Sequence, residues 1–154
     1  MSEVLNFLNR KFNINLSEVD LNFIKDFVLL WNLLESKYQE RNFRINNVLR
    51  EIENNANRFN CNNEKLNDIF SYFYDRYQDR ERLEKLNLKN NNFNFVKEIL
   101  NKQKEEITCI EKIKLIMLIV YRYRNNLFHG EKDLTYIEYQ KENFNYANKF
   151  LIFF

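Results

Sequence analysis

The chain has 154 residues, of which 45% are hydrophobic, 16% aromatic and 30% charged, with a formal net charge of +2. This is enough apolar material for one domain with one core, which excludes a disordered chain. It is too little net charge for a protein that grips nucleic acid by overall charge alone. With no proline and a single glycine, the chain lacks the turn residues that sheets depend on. The expected fold is all-α: a compact helical bundle of about five to seven helices in a single domain, 1–154. The richness in asparagine reads as the codon bias of an AT-rich genome and carries no functional weight. Cys61 and Cys109 have no CxxC spacing and there is one histidine, so no zinc set is available and no metal or cofactor is expected. Two such cysteines, with no secretory leader evident, predict reduced thiols and a cytoplasmic protein. No apolar run approaches the roughly 20 residues of a membrane span.

Ser2 caps a first helix over 3–12, with Val4, Leu5, Leu8 and Phe12 on one side. Ser17 caps a long second helix to Gln39, whose stripe runs through Ile24, Phe27, Val28, Trp31 and Tyr38. Glu35 falls within that stripe, and burying a carboxylate among aromatics is costly. Two readings stand for it: the wet end of the stripe, or a partner for a buried cation or histidine. A third helix is predicted over 44–59, and Asn60 to Asn63 is a break. A fourth helix carries Leu66, Ile69, Phe70, Phe73 and Tyr77. Residues 76–85 alternate in charge, which suits a solvated helical face or, as the lesser reading, a patch that tracks an RNA backbone. Asn90 to Asn92 reads as a second break, with a short helix over 93–103 after it. A central helix over 105–128 follows, apolar all round from Leu115 to Tyr121 and so buried on more than one face. Gly130 ends it, and a last helix spans 133–153. The apolar end, Phe150 to Phe154, is expected to pack into the core or a dimer contact.

Chemistry concentrates at Arg124-Asn125-Asn126-Leu127-Phe128-His129-Gly130. Cleaving RNA without a metal needs a base for the ribose 2′-OH, an acid for the leaving 5′-oxygen and a cation for the phosphorus oxygens. Histidine suits either proton role, and arginine matches phosphate with its planar fork. Asn125 and His129 share a helix face, while Arg124 starts about 140° away from His129. One histidine cannot comfortably serve as acid and base at once, so a homodimer with two histidines across a shared cleft is the natural arrangement. Arg122 and Lys132 are candidate RNA contacts, and Glu35 is a candidate to orient Arg124 or His129. The structural reading stands beside this one, because a histidine and an arginine in the last turn of a helix are favoured by its dipole alone.

The Arg124-to-His129 segment resembles the HEPN superfamily (higher eukaryotes and prokaryotes nucleotide-binding domains), whose signature is arginine, four to six residues, then histidine, often with a polar residue directly after the arginine. Phe27-Val28-Leu29-Leu30-Trp31-Asn32-Leu33-Leu34-Glu35 is similar to an early helix of several HEPN groups, where a tryptophan and a glutamate recur. The specific match covers roughly a tenth of the chain. It implies an HEPN-like helical bundle, a homodimer, and a metal-independent endoribonuclease that cuts tRNA or mRNA as a toxin of a toxin–antitoxin pair or as an anti-phage effector. Carried over, Arg124 and His129 are catalytic, Asn125 supports them and Glu35 is a fourth member. Glu131 stands where some HEPN toxins carry a tyrosine that a partner enzyme modifies, so control is expected from a separate antitoxin or regulatory protein. The alternative is a non-catalytic HEPN-like dimer that binds a nucleotide, RNA or a protein partner.

Overall fold

The computed structural model describes residues 2–38, 43–128 and 134–154, and these are helical with no strand among them. In chain order the α-helices are α1 (Glu3–Phe12), α2 (Glu18–Lys37), α3 (Ile45–Asn54), α4 (Glu64–Arg76), α5 (Arg80–Lys85), α6 (Asn90–Asn101), α7 (Cys109–Phe128) and α8 (Lys141–Phe153). They sort into two compact units. Unit 1 is Met1–Gln39 with Arg124–Phe154, and unit 2 is Glu40–Tyr123. Helix α7 therefore belongs to unit 2 up to Tyr123 and to unit 1 from Arg124 onward. No helix of the described residues is long and apolar enough to cross a membrane.

Local chemistry sets the helix starts. The Ser2 hydroxyl accepts the Leu5 N–H, and Ser17 with Asp20 closes a reciprocal box in which each side chain takes the other's backbone N–H. The same device starts α7. Thr108 Oγ1 accepts the Glu111 N–H at 3.3 Å, and Glu111 Oε2 accepts the Thr108 N–H at 2.9 Å. That box puts the first residue of the helix at Cys109 instead of near 105, after a short 3-10 turn over Lys104–Glu106. The third predicted helix likewise stops at Asn54 and gives way to a 3-10 turn over Ala56–Arg58. The last begins as a 3-10 turn over Leu134–Gln140 before α8. The asparagine run at 90–92 breaks the chain only at Asn90, whose φ is positive. It is the first turn of α6.

Asparagine takes over the work of the missing glycines. Among the described residues, positive φ falls at Asn13 (φ 51°), Asn87 (φ 55°) and Asn90 (φ 49°). Asparagine tolerates this left-handed region better than any other side chain of its size, since its short amide can bond locally. Asn13 ends α1 in this way, returning its N–H to the Asn9 carbonyl.

In unit 1, α2 packs along α8. The Phe27 and Phe144 rings lie 5.2 Å apart, Trp31 is fully buried, and the Asn148 amide donates to the Phe23 carbonyl at 3.0 Å. Leu5, Leu16 and Leu21 form a satellite cluster with Leu8, Ile14 and Ile137 against it. The apolar end divides: Phe150 is buried, whereas Ile152 is exposed. In unit 2, α3, α4 and α6 contribute Val48, Ile52, Leu66, Phe70, Phe73, Val96 and Ile99 to the core. Leu115 to Val120 of α7 have no exposure at all, so this stretch is buried all round as its composition requires.

The cysteines depart from expectation. Cys61, in the turn before α4, and Cys109, the first residue of α7, form a disulfide with Cα atoms 5.4 Å apart. The break at 60–63 and the capping box at 108–111 place the two thiols together, across a sequence separation of 48. A cross-link over that span removes loop-closure entropy from the unfolded chain amounting to about 4 kcal/mol. Cys61→Ser is expected to lower the unfolding free energy by an amount of that order in oxidising buffer and to make it insensitive to dithiothreitol. Urea unfolding of parent and variant, each with and without the reductant, measures both effects.

Candidate functional site

The last turn of α7 brings Arg124 and Asn125 into unit 1, where α2 supplies Trp31 and Glu35. Trp31 is the only tryptophan in the chain and is fully buried. A buried indole N–H needs an acceptor. Glu35, one turn further on the same helix, provides it: Trp31 Nε1 donates to Glu35 Oε1 at 2.6 Å. The same oxygen receives Arg124 Nη2 at 3.1 Å. The two side chains of this ion pair are 26% and 27% exposed, so the pair is neither sealed from water nor free in it.

Two further neighbours hold the guanidinium. Arg124 Nη1 donates to Asn125 Oδ1 at 3.1 Å, and the guanidinium carbon lies 5.3 Å from the centre of the Phe128 ring. Asn125 is itself buried. The arginine fork is therefore oriented by a carboxylate, an amide and an aromatic face, which limits the rotamers it can adopt. A fork held in this way presents planar N–H donors matched to a phosphate, and it does so with little further loss of side-chain freedom. The carboxylate also offsets its charge, so an arriving phosphate has to share the arginine with Glu35.

Arg124, Asn125 and Glu35 come together in unit 1, and Glu35 both meets a cation and keeps part of its side chain in water, so it shares something of each of its two readings. Arg122 sits two residues back, about 200° around the helix from Arg124. It is buried and donates Nε–H to the Leu86 carbonyl at 2.9 Å, which anchors α7 to the end of α5 within unit 2. His129 and Lys132 lie outside the described residues, as do Gly130 and Glu131. Phe128 is the member that sequence reasoning left out, and Trp31 entered it only as a stripe residue and through the resemblance of its helix. Both carried a signal, because Trp31 precedes Glu35 and Arg124 precedes Phe128 by four residues, the spacing that places side chains in contact on a helix. Among the described residues no group of three or more histidine, cysteine, aspartate or glutamate side chains is gathered to hold a metal ion.

No protein-family model, no curated protein and no solved structure matches the chain.

Glu35→Ala strips the acceptor from Trp31 and the counter-charge from Arg124, and is expected to cost about 2 kcal/mol of stability. Glu35→Gln keeps an acceptor oxygen and should cost less. The emission of the single tryptophan reports the change directly: it should shift in the alanine variant and stay near the parent's in the glutamine variant. Equal melting temperatures and spectra for all three proteins would remove Glu35 from the site.

Proposed function

We propose that the chain is a metal-independent endoribonuclease of HEPN type, acting as a toxin or anti-phage effector on tRNA or mRNA, with Arg124 and His129 as its catalytic residues. The observation that carries this reading is Arg124 in the last turn of α7, held by Glu35 and Asn125 five residues before the chain's one histidine. A phosphate-binding arginine gains from being oriented in advance.

In this mechanism a histidine takes the proton of the ribose 2′-OH, and the 2′-oxygen attacks phosphorus. The bond from phosphorus to the 5′-oxygen breaks, and a second histidine protonates that oxygen. The products are a 2′,3′-cyclic phosphate and a 5′-hydroxyl. Arg124 balances charge on the non-bridging oxygens. Asn125 and Glu35 are positioning residues that fix its fork. One histidine per chain calls for two chains, and unit 1 offers a surface for pairing. The well-exposed large apolar side chains of the described residues, Leu29, Leu33 and Phe128 among them, all belong to unit 1. Control by a separate antitoxin or regulatory protein fits the same reading, and Lys132 is a further candidate contact to RNA.

A second reading draws on the ion pair itself. Arg124 is already partnered by Glu35, which suits a non-catalytic HEPN-like dimer that binds a nucleotide, RNA or a protein.

The two readings separate in one assay. Purified protein is incubated with a mixed tRNA and mRNA pool in EDTA. Cleavage leaving 2′,3′-cyclic or 3′-phosphate ends is expected, and His129→Ala should slow it by about 10²–10⁴-fold, with a loss of about 10²–10³-fold for Arg124→Ala. Retention of parental rates in both variants, each shown to be folded, would end the catalytic assignment. RNA retention or partner capture without any cleavage by the parent selects the binding module.

A further inference from the structure

The disulfide of unit 2 sits at the surface. Cys61 is exposed and Cys109 half-buried. A disulfide sealed in a core is reached only when the chain unfolds, whereas a thiol in solution can approach this one at Cys61. The protein around the bond is also held without it. On one side, the Asn63 N–H donates to the Asn60 carbonyl at 3.2 Å and the Asn62 N–H to Asn60 Oδ1 at 3.1 Å, which closes the turn that carries Cys61. Asn63 Oδ1 then accepts the Lys65 N–H at 2.9 Å and starts α4. On the other side, the reciprocal bonds of Thr108 and Glu111 fix the start of α7 around Cys109. Near the start of each helix, Lys112 ties the two together: its Nζ donates to Asn67 Oδ1 at 3.2 Å and lies 5.1 Å from the centre of the Phe70 ring. None of these contacts involves sulfur. The backbone that sets the two Cα atoms 5.4 Å apart therefore has its own supports, and opening the bond leaves two thiols side by side.

The two sulfurs are not equivalent. Cys109 is the first residue of a 20-residue helix, where free backbone N–H groups and the helix dipole favour a negative charge. Lys112 adds a cation one turn on, and the Glu111 carboxylate between them is paired with Lys102 at 2.6 Å. Cys61 Sγ lies instead 3.7 Å from the Phe59 carbonyl oxygen, whose dipole opposes a thiolate. Cys109 is thus the better site for a thiolate, and the better thiolate is the faster leaving group. Exposure points the same way, because Cys61 is the sulfur that a thiol in solution meets.

We propose that the Cys61–Cys109 bond is a thiol-exchange site, opened and closed in the folded protein by low-molecular-weight thiols that attack at Cys61. A bond forms between the incoming sulfur and Cys61 Sγ, the bond to Cys109 breaks, and Cys109 leaves with the electron pair as a thiolate. A second small thiolate attacks the outer sulfur of the mixed disulfide and releases Cys61 as a thiolate. The protein gains two electrons, and the two small thiols are oxidised to their disulfide and supply the protons. Closing runs in reverse, with the small disulfide as oxidant. The cross-link of unit 2 is then conditional on the thiol balance around the protein, and this holds whether or not the chain cuts RNA.

The test uses the full chain, air-oxidised, with reduced glutathione as the probe at constant pH. Samples are quenched with excess N-ethylmaleimide, and peptide masses show what each cysteine carries. Reduction should be independent of urea up to the foot of the unfolding transition and within about tenfold of the rate for the unfolded chain, because a bond reached only through global unfolding is slowed by an equilibrium constant of about 10³ or more. The mixed disulfide should carry glutathione on the Cys61 peptide and maleimide on the Cys109 peptide. The helical circular dichroism should persist throughout, and oxidised glutathione should restore the bond. A rate that climbs with urea in step with the unfolding equilibrium would overturn the proposal. So would glutathione on the Cys109 peptide in equal or greater amount, or two thiols open to maleimide in the air-oxidised protein before any glutathione is added.

Discussion

A helix with no exposed side chain over six successive residues has to be placed before anything can be packed on it, and Leu115 to Val120 impose that condition here. Such a segment contributes apolar area on every face, of order 25 cal/mol for each Å² removed from water. It tolerates polar groups only at its ends, and that is where α7 keeps them. At its start, Thr108 and Glu111 exchange hydrogen bonds with each other's backbone, and Glu111 pairs with Lys102. Burial acts to raise the Glu111 pKa, but the hydrogen bonds from Lys102 and Thr108 outweigh it and hold the carboxyl below its usual range. At the other end stand Arg124 and Asn125. The reactive candidates sit where they do because the middle of the helix has no room for them.

The fold class was legible because its signal is compositional and periodic. One glycine, no proline and 3.6-residue apolar spacing leave few alternatives to helices, and Ser2 and Ser17 marked two helix starts to the residue. Thr108-Cys109-Ile110-Glu111 had the pattern of a capping box and would have moved the predicted start of α7 from 105 to 109. The disulfide was not legible. Thiols 48 residues apart meet only once a turn and a helix start have both been placed, and local pattern says nothing about that. Asn90 to Asn92 misled for a related reason: asparagine serves equally at a left-handed turn and in the first turn of a helix, and only the chain beyond it decides.

At the site, the Arg124–Glu35 pair was foreseeable as a possibility because an acid on an apolar stripe demands a cation. Which cation was a tertiary question. The hydrogen bond from Trp31 to Glu35 was a local one, readable from a spacing of four, and it changes what Glu35 does. A carboxylate oxygen that already accepts an indole N–H keeps its orientation when its arginine moves. Glu35 is then a fixed post rather than a mobile counter-ion, and with Asn125 and the Phe128 ring it sets the direction of the Arg124 fork.

The left-handed asparagines reach beyond the turns they make. Glycine at those positions would widen the set of conformations open to the unfolded chain, and closing that wider set costs free energy on folding. Asn13, Asn87 and Asn90 reach the same backbone angles with a side chain attached. The denatured ensemble is correspondingly narrower near the end of α1 and at the entry to α6. Replacing these residues with glycine would relieve strain in the native turn while loosening the chain it competes with, so the two effects oppose each other. A protein built from such turns has little slack at its bends even before its helices have packed.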